Sequence, residues 1–88
     1  MNYPYSIYVG GNVEEIGRVL TVLFMKGYVF DRVARFRTFE EVYNRWSYGM
    51  RGWNYIGIGN QDDCKAVVDA YFLSDFQLVT LEEFLKLI

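Results

Sequence analysis

Eighty-eight residues are enough for one domain with a real core and too few for two, so residues 1–88 are read as a single unit. Apolar residues make up 52% of the chain and aromatics 19%, which excludes a disordered polar chain and points to an ordered, contact-making protein. A net charge of -2 argues against a nucleic-acid binder that relies on overall positive charge.

Tyr5 to Val9 is rich in aromatic and β-branched residues and reads as a strand. Gly10-Gly11 supplies a tight corner, and Asn12 is a good N-cap for the helix that follows. From Val13 the apolar residues Ile16, Val19, Leu20, Leu23 and Phe24 recur with a helical period, and Gly27 after Lys26 is a natural stop. Glu14 stands four residues before Arg18, a favourable pairing. Tyr28 to Phe36 is expected to be a strand. Thr38 to Trp46 is expected to be a short helix that buries Phe39, Val42, Tyr43 and Trp46, with a strand as the other reading. Ser47 to Gly52 is a loop. Trp53 to Ile58 is a strand ended by Gly59-Asn60, with Gly57 marking a bulge or a close backbone approach. Asn60 to Tyr71 suits either a turn entering a helix or, through Val67-Val68, a strand. Phe76 to Val79 is a strand, and Leu81 to Leu87 a helix with Leu81, Phe84, Leu85 and Ile88 inward.

One signature occurs three times: Asn12-Val13-Glu14-Glu15, Thr38-Phe39-Glu40-Glu41 and Thr80-Leu81-Glu82-Glu83. Each is read as a capping box, in which the first side chain takes an amide and the second glutamate reaches back. The elements add up to an α+β fold. A three- to four-stranded, mainly antiparallel sheet carries two to three helices mainly on one face, beginning strand–helix and ending strand–helix.

The sequence contains no histidine, which removes a His-based triad and His-ligated zinc. Cys64 is the one cysteine, so neither an internal disulfide nor a cysteine metal cluster can form. Gly10-Gly11 matches no phosphate-loop spacing, and Glu14 and Glu15 would repel an anion there. Asp62-Asp63 reads as a solvated turn. An enzyme is therefore not expected, nor is a cofactor or a metal. The opening residues lack a basic and apolar leader pattern, and the apolar run Val19–Met25 is too short to span a bilayer. A soluble protein of the cytoplasm with no membrane partner is expected.

Charge is unevenly spread. Residues 31–55 carry five arginines against Asp31, Glu40 and Glu41, whereas residues 56–88 carry six acids against Lys65 and Lys86. The arginine-rich stretch is also rich in Tyr and Trp, the residue types that dominate binding hot spots. Arg35, Arg37, Tyr43, Arg45, Trp46, Tyr48, Arg51 and Trp53 are the candidate partner surface, with Trp46 and Trp53 equally open to a core role.

Two resemblances bear on function. Ile7-Tyr8-Val9-Gly10-Gly11-Asn12 and Arg51-Gly52-Trp53-Asn54-Tyr55-Ile56-Gly57-Ile58 resemble the two strand motifs of RNA-recognition-motif domains, with Asn54 and Ile58 departing from the pattern. That resemblance implies a strand–helix–strand–strand–helix–strand order. It also implies a stacking platform of Tyr8, Trp53 and Tyr55 for single-stranded RNA, with Arg51 on phosphate. The second covers more of the chain. Leu23-Phe24-Met25-Lys26-Gly27-Tyr28-Val29-Phe30, the strand Tyr55 to Ile58, and Thr80-Leu81-Glu82-Glu83-Phe84-Leu85 are similar to small accessory proteins of tailed bacteriophages. It implies a compact phage-encoded α+β protein without catalytic residues. The leading expectation is a non-enzymatic protein that binds and inhibits a host factor, a defence nuclease or effector, in the manner of an anti-CRISPR protein. A sponge for a small nucleotide is a variant, RNA binding is the alternative, and a homo-oligomer through Val22 and Met25 is a third option.

Overall fold

A computed structural model of the chain describes residues 5–30, 33–61, 64–70 and 77–87. The elements in order are β1 (Tyr5–Tyr8), α1 (Val13–Met25), β2 (Val29–Phe30), α2 (Phe39–Trp46), a 3₁₀ turn (Met50–Gly52), β3 (Tyr55–Gln61), β4 (Cys64–Ala70), β5 (Gln77–Leu78) and α3 (Leu81–Leu87). Three strands carry the sheet: β1 pairs antiparallel with β3, and β3 antiparallel with β4. Two-residue strands extend both edges in parallel, β2 against β4 and β5 against β1, giving the order β2-β4-β3-β1-β5. The expected α+β fold, opening with a strand and closing with a helix, is what the chain adopts.

The helix ends follow from local chemistry. The Asn12 carboxamide accepts from the Glu15 amide at 3.1 Å and Thr38 Oγ1 from the Glu41 amide at 3.2 Å. At α3 the exchange is reciprocal: Thr80 Oγ1 accepts from the Glu83 amide at 3.0 Å, and a Glu83 carboxylate oxygen accepts from the Thr80 amide at 2.9 Å. The other two boxes differ from expectation. Glu41 reaches back to the Arg37 amide and the Thr38 hydroxyl, at 3.2 and 3.0 Å. Glu15 turns forward and holds Arg18 through two contacts of 3.1 and 2.6 Å. The expected partner of Arg18 was Glu14, one residue too early. Asn12 donates its own amide to the Val9 carbonyl instead, which leaves Glu15 free for the arginine. At the other end of α1 the Tyr28 amide bonds the Leu23 carbonyl and the Gly27 amide the Phe24 carbonyl, a Schellman stop with Gly27 at φ 93.

All three helices bury residues in one cluster with the inner face of the sheet. Ile16, Val19, Leu20 and Leu23 of α1, Val42 of α2 and Leu81 and Phe84 of α3 meet Ile7, Ile56 and Ile58. Alternation then sends Tyr8 and its cross-strand neighbour Tyr55 to the opposite face.

Several elements depart from the sequence reading. The expected strand Tyr28 to Phe36 shrinks to Val29–Phe30, because the chain turns back and Phe36 pairs antiparallel with Phe30. Residues 60–71 resolve in favour of a strand over Cys64–Ala70, joined to β3 as a hairpin whose last pair is Gln61↔Cys64; Asp62, Asp63 and Tyr71 lie outside the described residues. Gly59 and Asn60 therefore continue β3 rather than ending it. Gly57 sits in regular register between Ser6 and Val68, with no bulge. Phe76 and Ile88 also lie outside the described residues. The element order departs from strand–helix–strand–strand–helix–strand: α2 stands between β2 and β3, and β2 adjoins β4.

Candidate binding surface

The β1–α1 corner is tied to the chain that precedes β3. The Val9 and Gly10 amides both donate to the Asn54 carbonyl, at 2.8 and 3.0 Å, and the Gly11 amide to the Trp53 carbonyl at 2.6 Å. Gly10 and Gly11 adopt φ 54 and 72, and the Arg51 carbonyl lies against the Cα of Gly11 on the side where any other residue would carry a Cβ. These bonds hold the 3₁₀ turn on the end of α1 and set where Arg51 projects.

Beneath this turn the core is aromatic. Trp53 is 3% exposed and stacks on Phe30, with ring centres 5.3 Å apart and planes 14° from parallel. Met50 is fully buried. Trp46, half-buried at the end of α2, meets Phe30 and Phe36 edge-on at 5.3 and 5.4 Å. Val42 anchors the middle of α2, and Phe39 lies over Gly17 of α1. Beside that packed stripe the end of α2 faces water, and Tyr43, expected in the core, is 44% exposed.

There Tyr43, Ser47, Tyr48 and Arg51 line an open concavity of about 540 Å³. Tyr43 rests on Phe39 at 5.6 Å between ring centres. Tyr48 is 99% exposed. The lining offers hydroxyls, two phenol rings and a guanidinium, donors suited to carboxylate or phosphate beside flat apolar surface.

The eight residues singled out in the sequence thus separate. Tyr43, Tyr48 and Arg51 come together. Arg45 lies over the Trp46 ring at 5.7 Å, as a cation–π contact, and does not line that concavity. Arg37 lines a neighbouring groove with Thr21, Phe24, Met25, Thr38 and Phe39. Arg35 is exposed on the turn that returns Phe36 to Phe30, with φ 56. Trp53 belongs to the core and gives a partner no surface. Ser47 was missed, although its place four residues after Tyr43 on the same helical face could have found it.

The alternative trio does not assemble. Tyr8 is exposed and Tyr55 partly so, and their rings meet edge-on at 66° and 5.3 Å, while Trp53 lies in the helix-side core. Two tilted tyrosines without the tryptophan do not make a flat stacking surface. Arg51 stands with Tyr43 and Tyr48 instead.

Among the described residues no group of three or more Asp, Glu or Cys side chains converges as a metal site would need, and no helix is long and apolar enough to cross a membrane. Comparison of the chain with protein-family models, with curated proteins and with solved structures finds no match.

Proposed function

We propose that this is a non-enzymatic, phage-encoded protein that binds and inhibits a host factor, a defence nuclease or effector, through the α2–3₁₀ surface. One observation carries the reading. Tyr43, Tyr48 and Arg51 share one open concavity, and the whole Tyr48 ring stands in water. Aromatic rings and arginines on a rigid frame are what alanine scanning finds at the centres of protein interfaces. The frame here is rigid because Val42, Trp46 and Met50 anchor it from below. Arg37, Arg45 and Arg51 favour an acidic partner surface. The phage origin rests on the likeness of residues 23–30 and 80–85 to accessory phage proteins, and those segments serve as helix stop and helix cap.

A protein partner fits better than a nucleotide. Small-molecule sites enclose most of their ligand, and an open concavity whose lining includes a Tyr48 that is 99% exposed encloses little. RNA binding is disfavoured by the separation of Trp53 from Tyr8 and Tyr55.

The test is an inhibition assay in bacteria that express a defence system, scored as phage plating with and without the chain. Tyr48→Ala combined with Arg51→Ala should restore defence while leaving the melting temperature unchanged. Full inhibition by the double variant across the defence systems that the parent chain blocks would remove this surface from the function.

A further inference from the structure

The chain from Tyr43 to Trp53 is held by a run of short backbone bonds. The Ser47 amide donates to the Tyr43 carbonyl at 2.8 Å, Gly49 to Trp46 at 2.8 Å, Gly52 to Gly49 at 2.9 Å and Trp53 to Met50 at 3.0 Å. Met50 is buried beneath the run, and the Arg51 carbonyl is fixed against Gly11. The backbone of Arg51 is therefore set before anything binds, and only its exposed side chain is left to order.

Tyr43, Ser47, Tyr48 and Arg51 line the concavity, so among the described residues Arg51 is its one cation and no acid lines it. Glu41 is engaged at the start of α2, on the Arg37 amide and the Thr38 hydroxyl. With the α2–3₁₀ surface as the partner-binding face proposed for this chain, we infer that the concavity seats a single carboxylate on the Arg51 guanidinium. The carboxylate belongs to an aspartate or glutamate on the surface of a protein partner.

The guanidinium fork matches a carboxylate in shape and charge, and the Tyr and Ser hydroxyls can donate to its remaining lone pairs. A phosphate monoester carries about −1.5 to −2, which one arginine does not balance. A nucleic-acid strand repeats its charge at every nucleotide, and the concavity offers one cation. A neutral group would cover Arg51 without matching its charge. The seat is also open, whereas a free small molecule needs enclosure. The acid is therefore one carried on a larger surface, with the rings of Tyr43 and Tyr48 left to pack against the carbon chain that bears it.

Heteronuclear NMR titration of the isotope-labelled full chain tests this, with peptides of one sequence whose central residue is glutamate, glutamine or phosphoserine. The method reads dissociation constants on the order of 1 mM, where a single-residue anchor falls. The glutamate peptide should shift the Ser47 and Arg51 amides and the Arg51 Nε, and should bind about fivefold or more tighter than the glutamine peptide. Arg51→Lys keeps the charge and loses the fork, and should remove most of that preference. Lys86→Gln, which removes a charge from α3, should leave it unchanged. Both positions are exposed, so both variants should keep the parent melting temperature. Equal binding of the glutamate and glutamine peptides, or a preference that survives Arg51→Lys, overturns the inference. So does tighter binding of the phosphoserine peptide or of oligothymidylate at these residues. Shifts there that grow with the concentration of the chain alone would put a second copy in the seat and overturn it as well. The titration needs no defence system. A chain that blocks none in the plating assay yet passes the titration would lose the proposed host target and keep the carboxylate seat.

Discussion

Gly11→Ala should be among the most damaging single-methyl additions in this chain, and Gly10→Ala should be mild by comparison. Both residues have positive φ, 54 at Gly10 and 72 at Gly11, so both substitutions incur the left-handed penalty of ~1 kcal/mol. Their surroundings differ. The new methyl at position 10 meets the hydroxyl end of the Tyr8 ring at 2.8 Å, and Tyr8 is 59% exposed and can swing into water. At position 11 it meets the backbone carbonyl of Arg51, which cannot move alone. The Gly11 amide bonds the Trp53 carbonyl two residues further on, and the Gly10 amide bonds that of Asn54. Making room means separating the corner from the 3₁₀ turn and losing at least one buried backbone bond, about 1–2 kcal/mol more. The totals are roughly 2–3 kcal/mol for Gly11→Ala and roughly 1 kcal/mol for Gly10→Ala. For a domain of this size each kcal/mol moves the melting temperature by ~4–8 °C, so the two should differ by at least about 4 °C. Urea titration followed by circular dichroism measures both, and a shared m-value would show that the unfolded state is not responsible. Equal losses at the two positions, or a milder effect at Gly11, would refute the reasoning. The same displacement moves Arg51, so Gly11→Ala should also weaken partner binding well below its melting temperature.

Trp53→Ala should cost about 3–5 kcal/mol, because it removes a large ring stacked on Phe30 in the core, and a urea midpoint reads this directly. Tyr48→Ala should change stability by less than about 0.5 kcal/mol and weaken partner binding by about tenfold or more; the two are separable by a melt and a titration on the same sample. Thr80→Ala should cost about 1 kcal/mol through loss of the α3 cap. Glu83 also sets an acid-side signature. The Thr80 amide, and then the Thr80 hydroxyl, hold its carboxyl below the ordinary value of 4.5. A depressed folded pKa contributes stability that is present above 4.5 and lost as pH falls through the folded value. Stability should therefore fall on acidification below that point, and Glu83→Gln should flatten that part of the curve. An unchanged acid slope in Glu83→Gln would assign the loss to other carboxylates.

Part of the candidate surface was legible in the sequence. Tyr43, Tyr48 and Arg51 stand out by residue type, although the helical spacing from Thr38 to Trp46 assigns Tyr43 to the buried face with Val42, and it is 44% exposed instead. Trp53 was not legible. Strand alternation pairs it with Tyr55, but the pleat begins only at Tyr55, since the carbonyls of Trp53 and Asn54 are taken by the β1–α1 corner. The rule failed where the strand had not yet started.

What the sequence determined by itself are the features closed within a few residues. Asn12, Thr38 and Thr80 mark the helix starts, Gly27 marks a helix end, and the buried stripe of α1 follows its period, because a cap bond spans three residues and a helical turn four. Tertiary structure decided what depends on distant partners. Cys64–Ala70 is a strand because β3 offers it a ladder, although its valines allowed either form. Phe36 turns back because Phe30 bonds it. Trp53 is buried because Phe30 and the β1–α1 corner claim it from two sides, and no local pattern holds that information. The Phe30–Trp53 stack joins residues 23 positions apart and the β3–β4 ladder reaches from Tyr55 to Ala70, so the winning conformation depends on what the fold brings alongside.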